Sequence, residues 1–174
     1  DYTHLLFIDS DMGFCSKNLA RLLDKNAELV ASICPQRRYK WEKEVIPAST
    51  HELESQLLTH NCKQVGSYYE NGFIEVNHVG TAFMLIQRLV FEKIKEACPE
   101  LEYQHEGWSR WAYFQHGIDP ETGEWCGEDV AFCRRWRNLG GRIFVDLAHP
   151  LVHVGSCDYG EQVHKHFCEL WNTE

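Results

Sequence analysis

The segment Leu5-Leu6-Phe7-Ile8, followed directly by Asp9-Ser10-Asp11, decides how the fold is interpreted. Four consecutive apolar residues predict a strand buried on both faces, as in parallel or mixed sheets. Two carboxylates one residue apart at the end of such a strand are costly to keep ionised without a partner. A hard divalent cation such as Mg²⁺ or Mn²⁺ takes oxygen ligands and is the obvious partner. A solvated turn explains the same residues, because Asp and Ser are common in turns.

The composition is typical of a folded globular domain. The chain has 174 residues, enough for one domain with a core, and 44% of them are hydrophobic. The net charge of −9 argues against binding to nucleic acid or an anionic membrane, because phosphate groups would be repelled. No apolar run approaches the ~20 residues of a transmembrane helix, so no membrane-spanning segment is expected in this chain.

The chain contains eight cysteines at irregular spacings, and none of them forms a CxxC pair. This pattern argues against a zinc site built on two knuckles. Several of the cysteines lie in apolar contexts, where a free thiol behaves as a small hydrophobe. We therefore expect reduced thiols and a cytoplasmic location, with the Golgi lumen or a virus-associated location as alternatives. The even count also leaves disulfides open.

Hydrophobic periodicity predicts an α/β chain. A helix over residues 17–28, capped by Ser16, and a strand over 29–34 follow the first strand, which is typical of a parallel strand pair. Further helices are predicted over 47–62, 88–97, 128–139 and 162–171. Further strands are predicted over 73–79, 82–86, 111–115, 142–146 and 151–154.

Two acids open the helix predicted at residue 128, in the sequence Gly127-Glu128-Asp129. Acids in a first helical turn are favoured by the free amides and the helix dipole, so capping alone explains them. Two adjacent acids after a glycine also suit a general base and its support.

A histidine and a basic loop complete the candidate residues. His153 lies within the apolar run 151–154, where a histidine is either hydrogen-bonded in the core or a metal ligand. Arg37, Arg38 and Lys40 follow the strand predicted at 29–34, where open α/β sheets bind ligands. A solvated loop is the simpler interpretation of these three cations.

The order of these motifs resembles that of the glycosyltransferases of GT-A fold. The most specific part is residues 127–146, which look like the family's glutamate–aspartate segment, and residues 79–86 look like its strand lining the sugar pocket. The resemblance covers residues 5 to about 155. It is of the kind found among glycosyltransferase-like proteins of large viruses, phages and bacteria.

The resemblance implies a nucleotide-sugar donor, such as a UDP- or GDP-sugar, and a divalent metal, Mn²⁺ or Mg²⁺. Asp9, Ser10, Asp11 and Arg37 would bind the donor, and Asp9, Asp11 and His153 would bind the metal. The metal neutralises charge that develops on the leaving diphosphate.

The resemblance also implies an acceptor hydroxyl on a glycan or another molecule. Asp129 would be the base of an inverting reaction, and Glu128 would help to position the acceptor. The implied fold is a single GT-A-like domain over 1–174, with a mixed, mostly parallel sheet flanked by helices. The family's N-terminal segment, which grips the nucleotide base, is not found here, so we expect an N-terminally incomplete catalytic domain.

Two other functions remain open. A haloacid-dehalogenase-type phosphatase also places Asp-x-Asp after an early buried strand, and Asp9 would be its nucleophile. Against it, Met12-Gly13-Phe14 lacks the usual following Thr or Val, and Glu128 opens a helix and does not end a strand. A catalytically inactive carbohydrate-binding module is the non-enzymatic alternative.

Overall fold

The computed structural model describes residues 1–39, 58–119 and 122–155. Three α-helices lie in these ranges: α1 (Ser16–Lys25), α2 (Arg88–Ala97) and α3 (Glu128–Asn138). A 3-10 turn covers Pro99–Leu101. The strands in chain order are β1 (His4–Ile8), β2 (Met12–Gly13), β3 (Leu29–Ser32), β4 (Pro35–Tyr39), β5 (Leu58–His60), β6 (Cys62–Glu70), β7 (Phe73–Val79), β8 (Phe83–Gln87), β9 (Glu102–His105), β10 (Trp108–Trp111), β11 (Gly117–Ile118), β12 (Trp125–Cys126), β13 (Phe144–Asp146) and β14 (Val152–His153).

A six-stranded sheet with the order β1-β8-β3-β13-β7-β6 forms the centre of the described chain. Only the β3–β13 pair is parallel, and the other four pairs of this sheet are antiparallel. The α/β class is therefore confirmed, and the prediction of a mostly parallel sheet is wrong. β1 and β3 do run in the same direction, but β8 lies between them and is antiparallel to both.

No residue of the edge strand β1 is fully buried, so the prediction of a strand buried on both faces is wrong. The side chains of Leu5 and Ile8 are 45% and 43% exposed. The Asp9 N–H donates to the Ala82 carbonyl at 2.9 Å, which fixes the pairing with β8. The even-numbered residues of β1 consequently direct their backbone groups to the open edge. An apolar run indicates that a strand contacts a core, but it does not indicate that another strand pairs with each of its edges.

Helices cover both faces of the sheet and enclose two core clusters. The helices α2 and α3 contribute Ile94, Phe132 and Trp136 to one cluster, and α1 contributes Leu22 to the other. The Trp136 indole is 1% exposed and donates from Nε1 to the Arg142 carbonyl at 3.2 Å. Gly141 lies directly against this ring, where a Cβ would meet an indole carbon at 2.0 Å.

A buried ion pair anchors α1 to the end of β13. Asp146 is fully buried, and Arg21 donates to it from Nε at 2.7 Å and from Nη2 at 2.8 Å. The Ala148 N–H also donates to the Asp146 carboxylate, at 3.0 Å. Arg21 Nη2 donates in addition to the Asn71 carbonyl at 2.6 Å, so a single guanidinium joins α1, β13 and the turn between β6 and β7.

Local patterns predicted several elements well. The helix at 88–97 and the strand at 73–79 have the predicted bounds. Helix α1 has Cys15 at its N-cap, where Ser16 was predicted, because the Cys15 N–H donates to the Asn18 side chain at 2.9 Å. The helix ends at Lys25, three residues before the predicted bound, because Asn26 has the left-handed φ of 48°.

Other predictions were wrong or lie outside the described residues. The strand predicted at 111–115 is replaced by the β9–β10 hairpin, whose turn residues Glu106 and Gly107 have φ of 51° and 79°. Residues 58–60 of the helix predicted at 47–62 form β5, and residues 40–57 are not described. The helix predicted at 162–171 also lies outside the described residues.

The six cysteines in the described ranges are all free thiols. Burial raises the pKa of Cys34 to about 12 and that of Cys133 to about 12, so neither forms a thiolate readily. Cys157 and Cys168 lie outside the described residues. Within the described ranges, no helix combines the length and the apolar character that crossing a membrane requires.

Candidate functional site

Two short strands bring the ends of the described chain together. After β1, the Met12 N–H donates to the Asp9 carbonyl at 3.2 Å and closes a turn around the Asp-Ser-Asp motif. Met12 then pairs with His153 in the β2–β14 ladder, and the Val154 N–H donates to the Asp11 carbonyl at 2.9 Å. These backbone contacts place the Asp11 and His153 side chains beside each other, although 142 residues separate them.

The hydrogen bonds of His153 show that one of its ring nitrogens, Nδ1, carries a hydrogen. Nδ1 lies 2.8 Å from the Pro35 carbonyl, which can only accept, so Nδ1 carries a hydrogen. Nε2 lies 3.2 Å from Asp11 Oδ2. An unprotonated Nε2 would direct its lone pair at a carboxylate, an arrangement that requires a proton or another cation between the two atoms. A backbone carbonyl on the far nitrogen is a common support for metal-ligating histidines.

Arg37 adds a positive charge next to this pair. Its Nη1 lies 3.3 Å from Asp11 Oδ2, and half of its side chain is exposed. An exposed pair of this kind contributes little stability, so the arginine is free to engage another anion at small cost. Arg38 instead contacts Gln36 and Thr59, and Lys40 lies outside the described residues.

Asp129 lines the same cavity as His153, the partner of Asp11. Gly127 is the N-cap of α3, and Asp129 belongs to its first turn. The Thr81 hydroxyl donates to Asp129 Oδ1 at 3.0 Å. Burial raises the pKa of the Asp129 carboxyl, the charges of Glu128 and Asp9 raise it further, and the hydrogen bond from Thr81 opposes them. A half-buried carboxylate with a raised pKa in a cleft is typical of a general base.

The cavity has a volume of about 190 Å³, and Asp9, Asp129 and His153 are among the residues that line it. Pockets for whole small-molecule ligands measure roughly 300–1,000 Å³, so this cavity suits a reacting centre and not a complete nucleotide sugar. Glu128 and Ser10 are exposed, and neither lines it. The structure thus brings together three of the predicted residues around the cavity. Asp11 and Arg37 do not line it but connect to it, because Asp11 contacts His153 and Arg37 contacts Asp11.

A larger cavity of about 430 Å³ lies beside the β11–β12 hairpin. Two of its cations already have acidic partners, since Arg134 pairs with the buried Asp119 and Arg137 with Glu75. Charge that is already neutralised is less available to a ligand, so we place the candidate site at the smaller cavity.

The carboxylate oxygen of Asp11 and the imidazole nitrogen of His153 suit a hard divalent ion that takes its remaining ligands from water or substrate. Within residues 1–39, 58–119 and 122–155, no group of three or more His, Cys, Asp or Glu side chains is placed to hold a metal. Asp11 and His153 supply two donors, and Asp9 lines the cavity without joining them in such a group. Mg²⁺ and Mn²⁺ sites commonly complete their coordination with water and substrate phosphates. The residues present therefore fit such an ion, with Asp9 as a ligand remaining a prediction.

Comparisons with known proteins add little to this picture. No protein-family model and no curated protein matches the chain. Among solved structures, A197 from STIV is similar to 89% of this chain, with 16% sequence identity and a TM-score of 0.42. This chain spans only 59% of the length of that protein, and a likeness at this level carries no argument about function.

Sequence reasoning gave no role to three groups that shape the site: the Thr81 hydroxyl, the Pro35 carbonyl and the Asn61 side chain. The resemblance matched residues 79–86, which include Thr81, to the family's strand lining the sugar pocket, but it assigned nothing to the hydroxyl. A polar residue after a glycine at the end of an apolar strand was the available signal for Thr81. The contacts of Pro35 and Asn61 depend on how distant segments meet, which local patterns do not reveal.

Proposed function

We propose that this chain is a metal-dependent glycosyltransferase that moves a sugar from a nucleotide-diphosphate sugar to an acceptor hydroxyl. The observation that carries the proposal is that Asp129 and His153 line one cavity, while His153 also contacts Asp11. The Asp11–His153 pair offers donors for a cation and its anionic ligand, and Asp129 offers a base. Transfer from a diphosphate to a hydroxyl requires both.

Asp11 and His153 are the residues that would hold Mn²⁺ or Mg²⁺, with the hydrogen bond from Nδ1 to the Pro35 carbonyl orienting the imidazole. When bound, the ion supplies positive charge that stabilises the leaving diphosphate. Arg37, which contacts Asp11 and is half exposed, is placed to donate to the same diphosphate.

Asp129 takes the proton in the proposed reaction. The acceptor hydroxyl gives its proton to the Asp129 carboxylate, and its oxygen forms the new bond to the anomeric carbon. The bond from that carbon to the diphosphate breaks, and its electron pair leaves on the diphosphate. The raised pKa of Asp129 makes it a stronger base than an exposed aspartate. Attack opposite the leaving group inverts the anomeric centre.

The finer fold assignment belongs to this proposal. The motif order supports a GT-A relationship, although the sheet of the described residues is mostly antiparallel. The six free thiols support a reducing compartment such as the cytoplasm. No contact of the described residues favours the phosphatase alternative.

The test is release of nucleoside diphosphate from a panel of UDP- and GDP-sugars, with Mn²⁺ or EDTA and with simple glycosides as acceptors. Asp129→Asn should lower turnover by about 10²–10⁴-fold and leave nucleotide binding intact. Asp11→Asn and His153→Gln should lower turnover and raise the Mn²⁺ concentration that half-maximal turnover requires. The control is Asp24→Asn, which removes an exposed acid of α1 and should leave turnover unchanged. Turnover that is insensitive to EDTA and to Asp11→Asn would contradict the proposal.

A further inference from the structure

The absence of a side chain at Gly80 leaves room beside two polar atoms that line the cavity. A Cβ placed on Gly80 would lie 3.4 Å from Asn61 Nδ2 and 3.5 Å from Asp129 Oδ2. Gly80 is not among the glycines with positive φ, so its backbone conformation does not require glycine. The glycine therefore keeps a space open next to Asp129, in the same cavity that His153 and Asp9 line.

Both polar atoms border the cavity beside Gly80. Thr81 donates to the Asp129 carboxylate from its hydroxyl, which binds Oδ1, and from its backbone, and Oδ2 is the oxygen nearest to Gly80. Within the described ranges, the Asn61 side chain makes no hydrogen bond, and it lines the cavity. The backbone of Asn61 is held beside Gly80, because the Gly80 N–H donates to the Asn61 carbonyl at 3.1 Å.

An amide donor and a carboxylate acceptor together select a neutral hydroxyl. A hydroxyl oxygen can accept from Asn61 Nδ2 while its hydrogen is donated to Asp129 Oδ2. A phosphate or carboxylate in the same space would be repelled by Asp129, and an ammonium group offers nothing for the amide hydrogens to bind. The chemistry of the space therefore matches the attacking group of a glycosyl acceptor.

We propose that Asn61 and Gly80 form, with Asp129, the subsite that holds the reacting hydroxyl of a carbohydrate acceptor. Asn61 donates to the hydroxyl oxygen and directs it, and Gly80 provides the room that it occupies. The hydroxyl's proton passes to Asp129 Oδ2 as the oxygen attacks the anomeric carbon. This inference rests on the proposed function for the reaction, and on the geometry alone for hydroxyl binding.

Gly80→Ala is the direct test. The added methyl group meets its neighbours at ordinary contact distances, so the variant should fold normally while filling the space. The matched control is Gly117→Ala, since a Cβ at Gly117 has no atom within 4 Å. The probes are methyl glucoside, methyl galactoside and methyl mannoside, titrated into ¹⁵N-labelled protein. The Asn61 side-chain amide signals, assigned by their loss in Asn61→Ser, report on the subsite.

At least one glycoside should shift the Asn61 amide signals saturably in the wild type and in Gly117→Ala, and none should do so in Gly80→Ala. The proposal is overturned if no glycoside moves these signals, or if Gly80→Ala responds like the wild type. Absence of nucleotide-sugar turnover together with this binding pattern would remove the transferase function and leave a carbohydrate-binding site.

Kinetics provide a second readout where turnover is measurable. Asn61→Ala should raise the KM for the acceptor by up to about tenfold, the value of one neutral hydrogen bond. Hydrolysis of the donor, in which water replaces the acceptor, should change much less in Gly80→Ala than transfer does, because water needs less room. An equal loss of hydrolysis and transfer would show a general structural effect and overturn the assignment.

Discussion

Replacing Arg21 with Met tests the buried ion pair at the end of β13. Asp146 is fully buried and would keep the hydrogen bond from the Ala148 N–H and the more distant His149 Nδ1 at 4.0 Å. Removing one partner of a buried pair costs roughly 3–5 kcal/mol, because the remaining charge is left without compensation. The Arg21 side chain is 25% exposed, so water partly solvates this end of the pair. We therefore expect the lower value, a loss of about 3 kcal/mol in the free energy of unfolding.

The measurement is urea unfolding at neutral pH, followed by circular dichroism. The matched control is Arg88→Met, because Arg88 pairs with Glu92 on the surface of α2 with side chains 59% and 60% exposed. We expect that control to lose no more than about 0.5 kcal/mol. Asp146→Asn in the Arg21→Met background should recover part of the loss by removing the uncompensated charge. Equal losses in Arg21→Met and Arg88→Met would refute the reasoning.

Three further predictions concern single positions. Gly141→Ala should destabilise the chain by about 3 kcal/mol in urea unfolding, because its Cβ would meet the buried Trp136 ring at 2.0 Å. Iodoacetamide at pH 7.5, with peptide mapping, should modify the exposed Cys15 well before Cys34, whose pKa burial raises to about 12; equal rates would contradict this. Asp129→Asn should stabilise the fold at neutral pH. The raised pKa of Asp129 means that the folded state loses stability as pH rises above the ordinary aspartate pKa. The stability gained from Asp129→Asn should therefore shrink on acidification to pH 4 without changing sign.

Elements with strong local signals were predictable from the sequence. Helix α2 combines an apolar stripe, with Val90 and Ile94 buried, and a proline shortly after its end, and its predicted bounds agree with the structure. The acids at the start of α3 were likewise placed correctly. These signals operate within about one or two helical turns, so a single sequence window contains them.

Strand neighbours were not predictable, because pairing partners are set by distant segments. The run at residues 5–8 specified an apolar strand, but its position at the sheet edge depends on where β8 inserts. The turn at Glu106-Gly107 was missed because a left-handed glutamate has no distinctive sequence signal. Motif order predicted that Asp11, His153 and Asp129 belong to one site. The contacts of Thr81 and Asn61 could be seen only in the three-dimensional structure.

The contact between Asp11 and His153 also bears on how the chain folds. It closes a loop of 142 residues, for which chain entropy alone costs about 4 kcal/mol. Contacts of such high sequence separation form late, after local hairpins and helices. A ligand that bridges these two residues would therefore bind only the completed fold and would stabilise it by an amount that rises with the logarithm of ligand concentration above its Kd. Thermal or chemical unfolding with and without Mn²⁺ thus becomes a binding assay that requires no knowledge of the substrate.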